Sequence, residues 1–237
     1  MGLFDKFKRN SEQAAAKGSV IIPLTEDTAP GPSATSGVDL GKKSGAISLA
    51  KGARVTIEKT PTIKAVAKWS SLTDYDLYAL VLTKDGVVHT VSTFGTADQP
   101  HSYSESILSG AVRHLGDVGR QSDGAAQEII EIKLTPDILA VVPVAYSAQS
   151  NGTGSFRRYK VDLGIDNGSG TQVSISSANA ERNDKIYSVA IGLIRNTADG
   201  VQIEALEAYS RPNSENRPVL LPDGTVQMDA GPKNAYK

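Results

Sequence analysis

From Ile47 onward the sequence is built from short stretches of β-branched and aromatic residues, separated by turns rich in glycine, aspartate and asparagine. The stretch "RVTIE" at 54–58 alternates apolar and polar residues, and "DLYALVL" at 76–82 is joined to "VVHTVSTF" at 87–94 by the turn "TKDG". Two such stretches around a short turn that contains glycine are typical of a β-hairpin. Because turn signals recur about every 8 to 12 residues, the pattern predicts an all-β fold, specifically an antiparallel β-sandwich. Further strands are predicted at 111–115, 128–134, 139–148, 157–165, 171–178, 187–196 and 201–210.

Composition divides the chain into three parts. The residues between Arg9 and Gly45 are mostly small and polar apart from one apolar run at 20–24, so they bury too little apolar surface to offset the entropy of ordering. We expect a short amphipathic N-terminus and a flexible linker over 1–44, followed by the β-sandwich over 45–210. Residues 211–237 are rich in proline and asparagine and predict an irregular C-terminal tail, with one short strand at "TVQMD".

Charge and cysteine content exclude several classes of function. The 237 residues include 25 Lys and Arg against 26 Asp and Glu, a net charge of -1, so no global positive field draws the protein to nucleic acid. The absence of cysteine excludes disulfides, thiolate metal sites and cysteine nucleophiles. The start of the sequence has the pattern of neither a signal peptide nor a transmembrane span, and we expect a cytoplasmic protein.

The first ten residues, "MGLFDKFKRN", indicate a weak amphipathic anchor. On a helix, Leu3, Phe4 and Phe7 share one face and basic residues flank it, an arrangement that favours an anionic membrane surface. Ordering these residues costs about 1 to 2 kcal/mol each, which offsets most of that gain. We therefore expect weak peripheral contact with the inner face of the cell membrane, dependent on a partner.

Enzyme motifs are absent from the sequence. The three histidines, His89, His101 and His114, have no spacing typical of a metal site or a catalytic triad, and no Walker loop or GxGxxG is present. The basic pair Arg157 and Arg158 is explained most simply as part of a solvated strand face. The single tryptophan, Trp69, is expected to be a core or rim aromatic. The residues themselves therefore give only weak support for an enzymatic function.

Acidic residues give the strongest indication of chemistry. Asp74 and Asp76 are two positions apart, so on an extended strand both side chains project from the same face. The loop before Glu128 carries Asp117 and Asp123. Calcium takes about six to eight oxygen ligands, which loops at one end of a sandwich can supply. The alternatives are that Asp74 caps a turn entering the strand and that the loop is simply a polar loop.

Several of these segments, taken in order, resemble the bacterial TerD family of tellurium-resistance and general stress proteins. The segments are "AISLAKGARVTIEK" (46–59), "KW" (68–69), "DYDLYALVLTKDGVV" (74–88), "GAVRHLGD" (110–117) and "QEIIEIKL" (127–134). The resemblance covers about residues 45–196. It implies a β-sandwich, calcium bound through acidic loops, no enzymatic activity, and binding or scaffolding of other proteins in membrane-associated complexes. Components of Ter-type complexes are the partners it implies.

The resemblance also implies which residues hold calcium, and here the sequence departs from the family. Acids that match the family's pattern are Asp74, Asp76, Asp117 and Glu128, while Asp123 is an acid that the pattern does not place. Residues that stand where the family has further ligands are Tyr78, Val118, Ala126 and Gln127. Because calcium affinity follows the number of charged ligands, we expect a low-affinity or degraded calcium site. The alternative is a structural component of a membrane-associated or phage-related complex that has lost metal binding.

We predict that limited proteolysis removes about the first forty residues before it cuts within the sandwich, because a segment of this composition has no core of its own. Mass spectrometry of the digestion products over time tests this. Early cleavage within 45–210, with the N-terminal segment intact, would contradict the predicted organisation.

Overall fold

A computed structural model of the protein describes residues 37–70, 73–118, 125–147 and 155–235. The predicted N-terminal anchor, with Leu3, Phe4 and Phe7, lies outside the described residues, and so does Asp123. The described residues form two large β-sheets, a small hairpin and two short 3-10 turns at Leu108–Gly110 and Ser177–Asn179. In this part of the chain, no helix has the length and apolar character needed to cross a membrane.

Each large sheet contains seven strands of the described chain. In spatial order, the first sheet contains β1 (Asp39–Lys42), β3 (Arg54–Ile57), β14 (Val201–Tyr209), β13 (Ser188–Asn196), β10 (Ile138–Tyr146), β5 (Asp76–Thr83) and β6 (Val88–Val91). The second contains β2 (Ala46–Leu49), β12 (Gln172–Ser176), β11 (Asp162–Asp166), β4 (Ile63–Ser70), β9 (Ala125–Ile132), β8 (Val112–His114) and β7 (Ser106–Ile107). The hairpin pairs β15 (Val219–Leu220) with β16 (Val226–Gln227).

Period-two apolar patterns build the interface between the two sheets. Strand β4 alternates buried and more exposed residues along its length, with Ile63, Ala65, Ala67 and Trp69 on the buried face. These side chains belong to one apolar core to which both sheets contribute. The predicted all-β sandwich is therefore confirmed, and Trp69 is a core residue that is only 2% exposed.

Both sheets are antiparallel except for one pair of strands in each. β1 pairs in parallel with β3, and β2 pairs in parallel with β12. The chain runs from β1 in the first sheet to β2 in the second and back to β3 in the first. After two reversals, β1 and β3 point the same way and pair in parallel. The predicted antiparallel sandwich is therefore found with one parallel pair added in each sheet, and β1 begins before the predicted boundary at residue 45.

One predicted strand is shorter than the sequence indicated. We expected a strand over 157–165, but β11 begins only at Asp162. The preceding residues form turns in which the Tyr159 amide donates to the Ser155 carbonyl, and Lys160 has a φ of +52°. Phe156 packs against the ring of Tyr75, with centroids 5.3 Å apart. This aromatic contact stabilises turns at residues for which the sequence pattern predicted a strand.

The outer face of the first sheet is covered by the C-terminal residues. Every residue of β5 is buried, and β10 is buried except at Leu139. A second apolar cluster includes Tyr78 and Phe94 and extends to Leu220 of β15. The predicted strand in "TVQMD" is β16. The irregular tail predicted over 211–237 forms, at 211–235, a layer over this face, because β5 and β10 are apolar on both faces and need cover on both.

We predict that Gly192→Ala destabilises the sandwich by about 1 to 3 kcal/mol, because a Cβ there overpacks the space between the sheets. A Cβ at Gly192 would lie 2.8 Å from the Ile175 side chain and 3.2 Å from the Glu204 carbonyl oxygen. The matched control is Gly164→Ala, where the nearest atom would be 3.9 Å away. Chemical denaturation measures both variants, and equal losses of unfolding free energy would contradict the close packing at Gly192.

Candidate functional site

Glu128 is a buried acid at one end of the sandwich. Along β9 the alternate residues face the interior, and Glu128 falls on that face, opposite Ala67 of β4. It is 1% exposed. A carboxylate removed from water at this depth needs hydrogen bonds or a counter-charge, because its desolvation is strongly unfavourable. The partners of Glu128 therefore determine what this end of the sandwich can do.

Three protein groups donate hydrogen bonds to Glu128. Its Oε2 accepts from the Leu77 amide at 2.6 Å and lies 3.2 Å from the His114 Nε2. Its Oε1 accepts from the Val118 amide at 3.0 Å. Leu77 belongs to β5 of the first sheet, and β6 pairs with β5 only from Ala79 onward. The Leu77 amide lies beyond the end of β6 and donates to Glu128 instead of to that strand. Glu128 therefore links the two sheets.

The geometry around His114 fixes which ring nitrogen carries the proton. The Gly116 amide donates to His114 Nδ1 at 3.1 Å, so Nδ1 is an acceptor. In the neutral ring the proton is then on Nε2, which donates to Glu128. Gly116 has a φ of +119°, a backbone conformation that glycine adopts without strain. His114 is thus a buried positioning residue for the carboxylate, although its sequence spacing showed no ligand pattern.

Glu128 lies close to two further acids. Asp76, Asp117 and Glu128 each offer a carboxylate oxygen, and these atoms lie within 4.8 Å of one another. Asp76 is buried at the start of β5, while Asp117 is exposed. Calcium binds oxygen ligands at about 2.3 to 2.6 Å, so two ligands of one ion lie within about 5 Å of each other. The spacing of the three acids is compatible with one cation.

The three acids can supply only part of the set of oxygen ligands that a calcium ion takes. Each carboxylate oxygen has two lone pairs, and both lone pairs of Glu128 Oε2 are used by Leu77 and His114. Oε1 retains one, beside its bond to Val118. Calcium takes about six to eight oxygen ligands, so backbone carbonyls and water must supply about half or more of them. The residues present fit a weak calcium site.

Two other residues considered for the site, Asp74 and Tyr78, have contacts outside this group of three acids. Asp74 precedes β5, so the same-face argument for Asp74 and Asp76 does not apply; its carbonyl accepts from the Ser147 hydroxyl at 3.1 Å. Among the described acids, Asp74 is not in the group of three. Tyr78 packs against Phe94, with ring centroids 5.7 Å apart. Asp123 lies outside the described residues, so its predicted role stays a prediction.

Five chains of solved structures match this protein, and two of them are described here. One is a crystal structure of a protein of unknown function, with 12% sequence identity, a TM-score of 0.45, and coverage of 66% of this chain and 92% of that chain. The other is a homologue of the telluride resistance protein TerD from Streptomyces coelicolor, with 14% identity, a TM-score of 0.42, and coverage of 65% and 90%. No protein-family model and no curated protein matches the chain.

We predict that Glu128→Gln, measured in chelator, lowers the free energy of unfolding by about 2 to 4 kcal/mol. The glutamine amide has the shape of the carboxylate, but both oxygens of Glu128 accept hydrogen bonds. The NH2 group of glutamine would therefore face an N–H donor, and the two donors would be left without acceptors in a buried position. The matched control is Glu131→Gln on the same strand, where the acid forms a partly exposed pair with Arg113 at 3.3 Å. That pair contributes about 0 to 1 kcal/mol. Equal effects of the two substitutions would contradict the central role of Glu128.

Proposed function

We propose that this chain is a non-enzymatic, TerD-like stress-response protein that acts by binding or scaffolding other proteins, with a low-affinity calcium site. The observation that carries the proposal is the group of Asp76, Asp117 and Glu128 at one end of the sandwich. The ordered sequence segments that resemble the TerD family, tellurium resistance included, support the same class of function.

Calcium would be held by Asp76, Asp117 and the remaining acceptor of Glu128. When bound, the ion neutralises the cluster and adds an ionic link between the exposed acid and the two sheets. Asp76 belongs to the first sheet and Glu128 to the second, while Asp117 lies in the loop that follows β8. A change in calcium concentration would therefore act on the surface around Asp117, where a partner protein can contact it.

A second function is favoured by the hydrogen bonds of Glu128. Leu77, Val118 and His114 already compensate its buried charge, so the fold does not require a cation there. A chain with such a site can serve as a structural or assembly component of a membrane-associated or phage-related complex without binding calcium. The two proposals differ in whether the acid cluster responds to calcium.

The proposed setting is the cytoplasm, with Ter-type components as partners and no nucleic-acid ligand. Peripheral contact with the inner face of the cell membrane through Leu3, Phe4 and Phe7 is part of the same proposal. Affinity purification of the tagged full chain from its native cells, membranes included, identifies the partners. Comparing calcium with chelator in that experiment shows whether their binding depends on the ion.

We predict a small calcium-dependent shift in a thermal melt. With a dissociation constant of about 1 mM, calcium at about 1 mM stabilises the fold by about 0.4 kcal/mol. That corresponds to a rise in melting temperature of about 1 to 2 °C for a domain of this size. An intact acidic site with a dissociation constant of about 1 μM would instead give about 4 kcal/mol and about 8 to 16 °C.

Asp117→Asn is the best test of the site, because Asp117 is exposed and its substitution leaves the buried hydrogen bonds of Glu128 in place. We expect the calcium-dependent shift to disappear in this variant. Asp199→Asn, which changes an exposed acid outside the cluster, should keep it. A wild-type shift above about 8 °C that Asp117→Asn abolishes would refute the low-affinity site. No shift in the wild type would favour the structural alternative.

A further inference from the structure

Arg217 is a buried cation in the C-terminal covering layer. The residue is 7% exposed, and its guanidinium carbon lies 5.1 Å from the ring centroids of both Tyr78 and Phe94. Nε donates to the Asn234 side-chain oxygen at 2.6 Å, and Nη2 donates to the carbonyls of Phe94 and Gly95 at 3.1 and 2.8 Å. These contacts hold the guanidinium in one orientation.

The charge of Arg217 has no carboxylate partner among the described residues. Its three hydrogen bonds go to neutral oxygens, and they use Nε and Nη2, so Nη1 takes part in none of them. Glu215, an acid close by in the sequence, accepts from the Tyr146 hydroxyl and pairs with Lys233 at 3.1 Å. Burial lowers the pKa of Arg217, in keeping with a desolvated charge. A buried cation without a counter-charge favours an external anion.

Arg217 lines a cavity whose other lining residues all carry a hydroxyl group. The cavity has a volume of about 190 Å³ and is bounded by Arg217 together with Thr90, Ser92, Ser102, Tyr103 and Ser104. None of these residues is acidic. Tyr103 is 46% exposed, so the cavity is accessible from solvent. The Ser92 hydroxyl accepts from the Phe94 amide at 3.2 Å, which leaves its own hydrogen to donate.

We propose that this cavity binds a phosphate group, either inorganic phosphate or the phosphoryl group of a small molecule. A guanidinium and several hydroxyls present hydrogen-bond donors to one small volume, and charge-assisted hydrogen bonds to oxyanions are among the strongest that proteins make. The five hydroxyl residues and Arg217 that line the cavity carry more possible donors than the four lone-pair positions of a carboxylate can use. The additional oxygens of phosphate can use them.

This site is separate from the acid cluster. Its residues come from β6, from the segment that follows β6, and from the C-terminal covering layer. The acids come from β5, β9 and the loop after β8. Phosphate binding therefore adds a second ligand to the proposed function and does not depend on calcium. An experiment in chelator tests it independently of the calcium proposal.

Isothermal titration of the full chain with inorganic phosphate, at fixed ionic strength and in chelator, tests the proposal. We expect saturable binding by the wild type. Thr90→Val and Tyr103→Phe each remove one hydroxyl while keeping the side-chain shape, and each should weaken binding about tenfold or more, since hydrogen bonds to charged groups are lost. The control Ser48→Ala removes an exposed hydroxyl from β2 and should bind phosphate as the wild type does.

Further titrations identify the source of the phosphate and test its charge partner. Arg217→Met should abolish binding, and a circular dichroism melt shows whether that variant folds; if it does not, the two hydroxyl variants decide. Tighter binding of glycerol 3-phosphate than of inorganic phosphate supports a phosphorylated small molecule, and the reverse order supports the free ion. No wild-type binding up to about 10 mM phosphate, unchanged binding in both hydroxyl variants, or equally tight binding of acetate would overturn the proposal.

Discussion

The carboxylate of Glu128 is the interaction on which one whole end of the sandwich depends. It is buried in the second sheet, and it accepts from Leu77 of the first sheet, from Val118 of the loop after β8, and from His114. A buried charge that loses any one of these partners is destabilised by a few kcal/mol. One group therefore links the two sheets, the loop after β8 and His114, and the neighbouring acids are positioned by the same elements.

Strand β5 connects this end of the sandwich to the opposite layer. Asp76, at its start, belongs to the acid cluster, and Tyr78, two residues later, packs in the C-terminal covering layer. Arg217 lies against the Tyr78 ring and donates to the backbone after β6. The C-terminal residues are thus part of the fold, because without them the apolar outer face of β5 would meet water.

Local patterns in the sequence predicted the strands well and the long-range contacts poorly. Period-two alternation located β3, and β9 overlaps the predicted strand over 128–134, whereas β4 was not predicted although it alternates along its length. The nearly continuous apolar runs of β5 and β10 are typical of strands buried on both faces, which need a covering layer. No local pattern identified that layer as the C-terminal segment. The roles of His114 and Arg217 arise from partners 14 or more positions away, which spacing rules do not detect.

The acids that the family pattern has and this chain lacks change how the site is held together. Three carboxylates within 4.8 Å of one another repel when no cation is present. Here the most buried of them, Glu128, is compensated by two backbone amides and a histidine, so its charge is stabilised by the protein itself. Calcium binding would then be favoured only by relief of the repulsion between Asp76 and Asp117 and by one further acceptor position on Glu128. In the proposed calcium site, stability of the fold would therefore be separate from affinity for the ion, and the ion would act mainly on the exposed loop at Asp117.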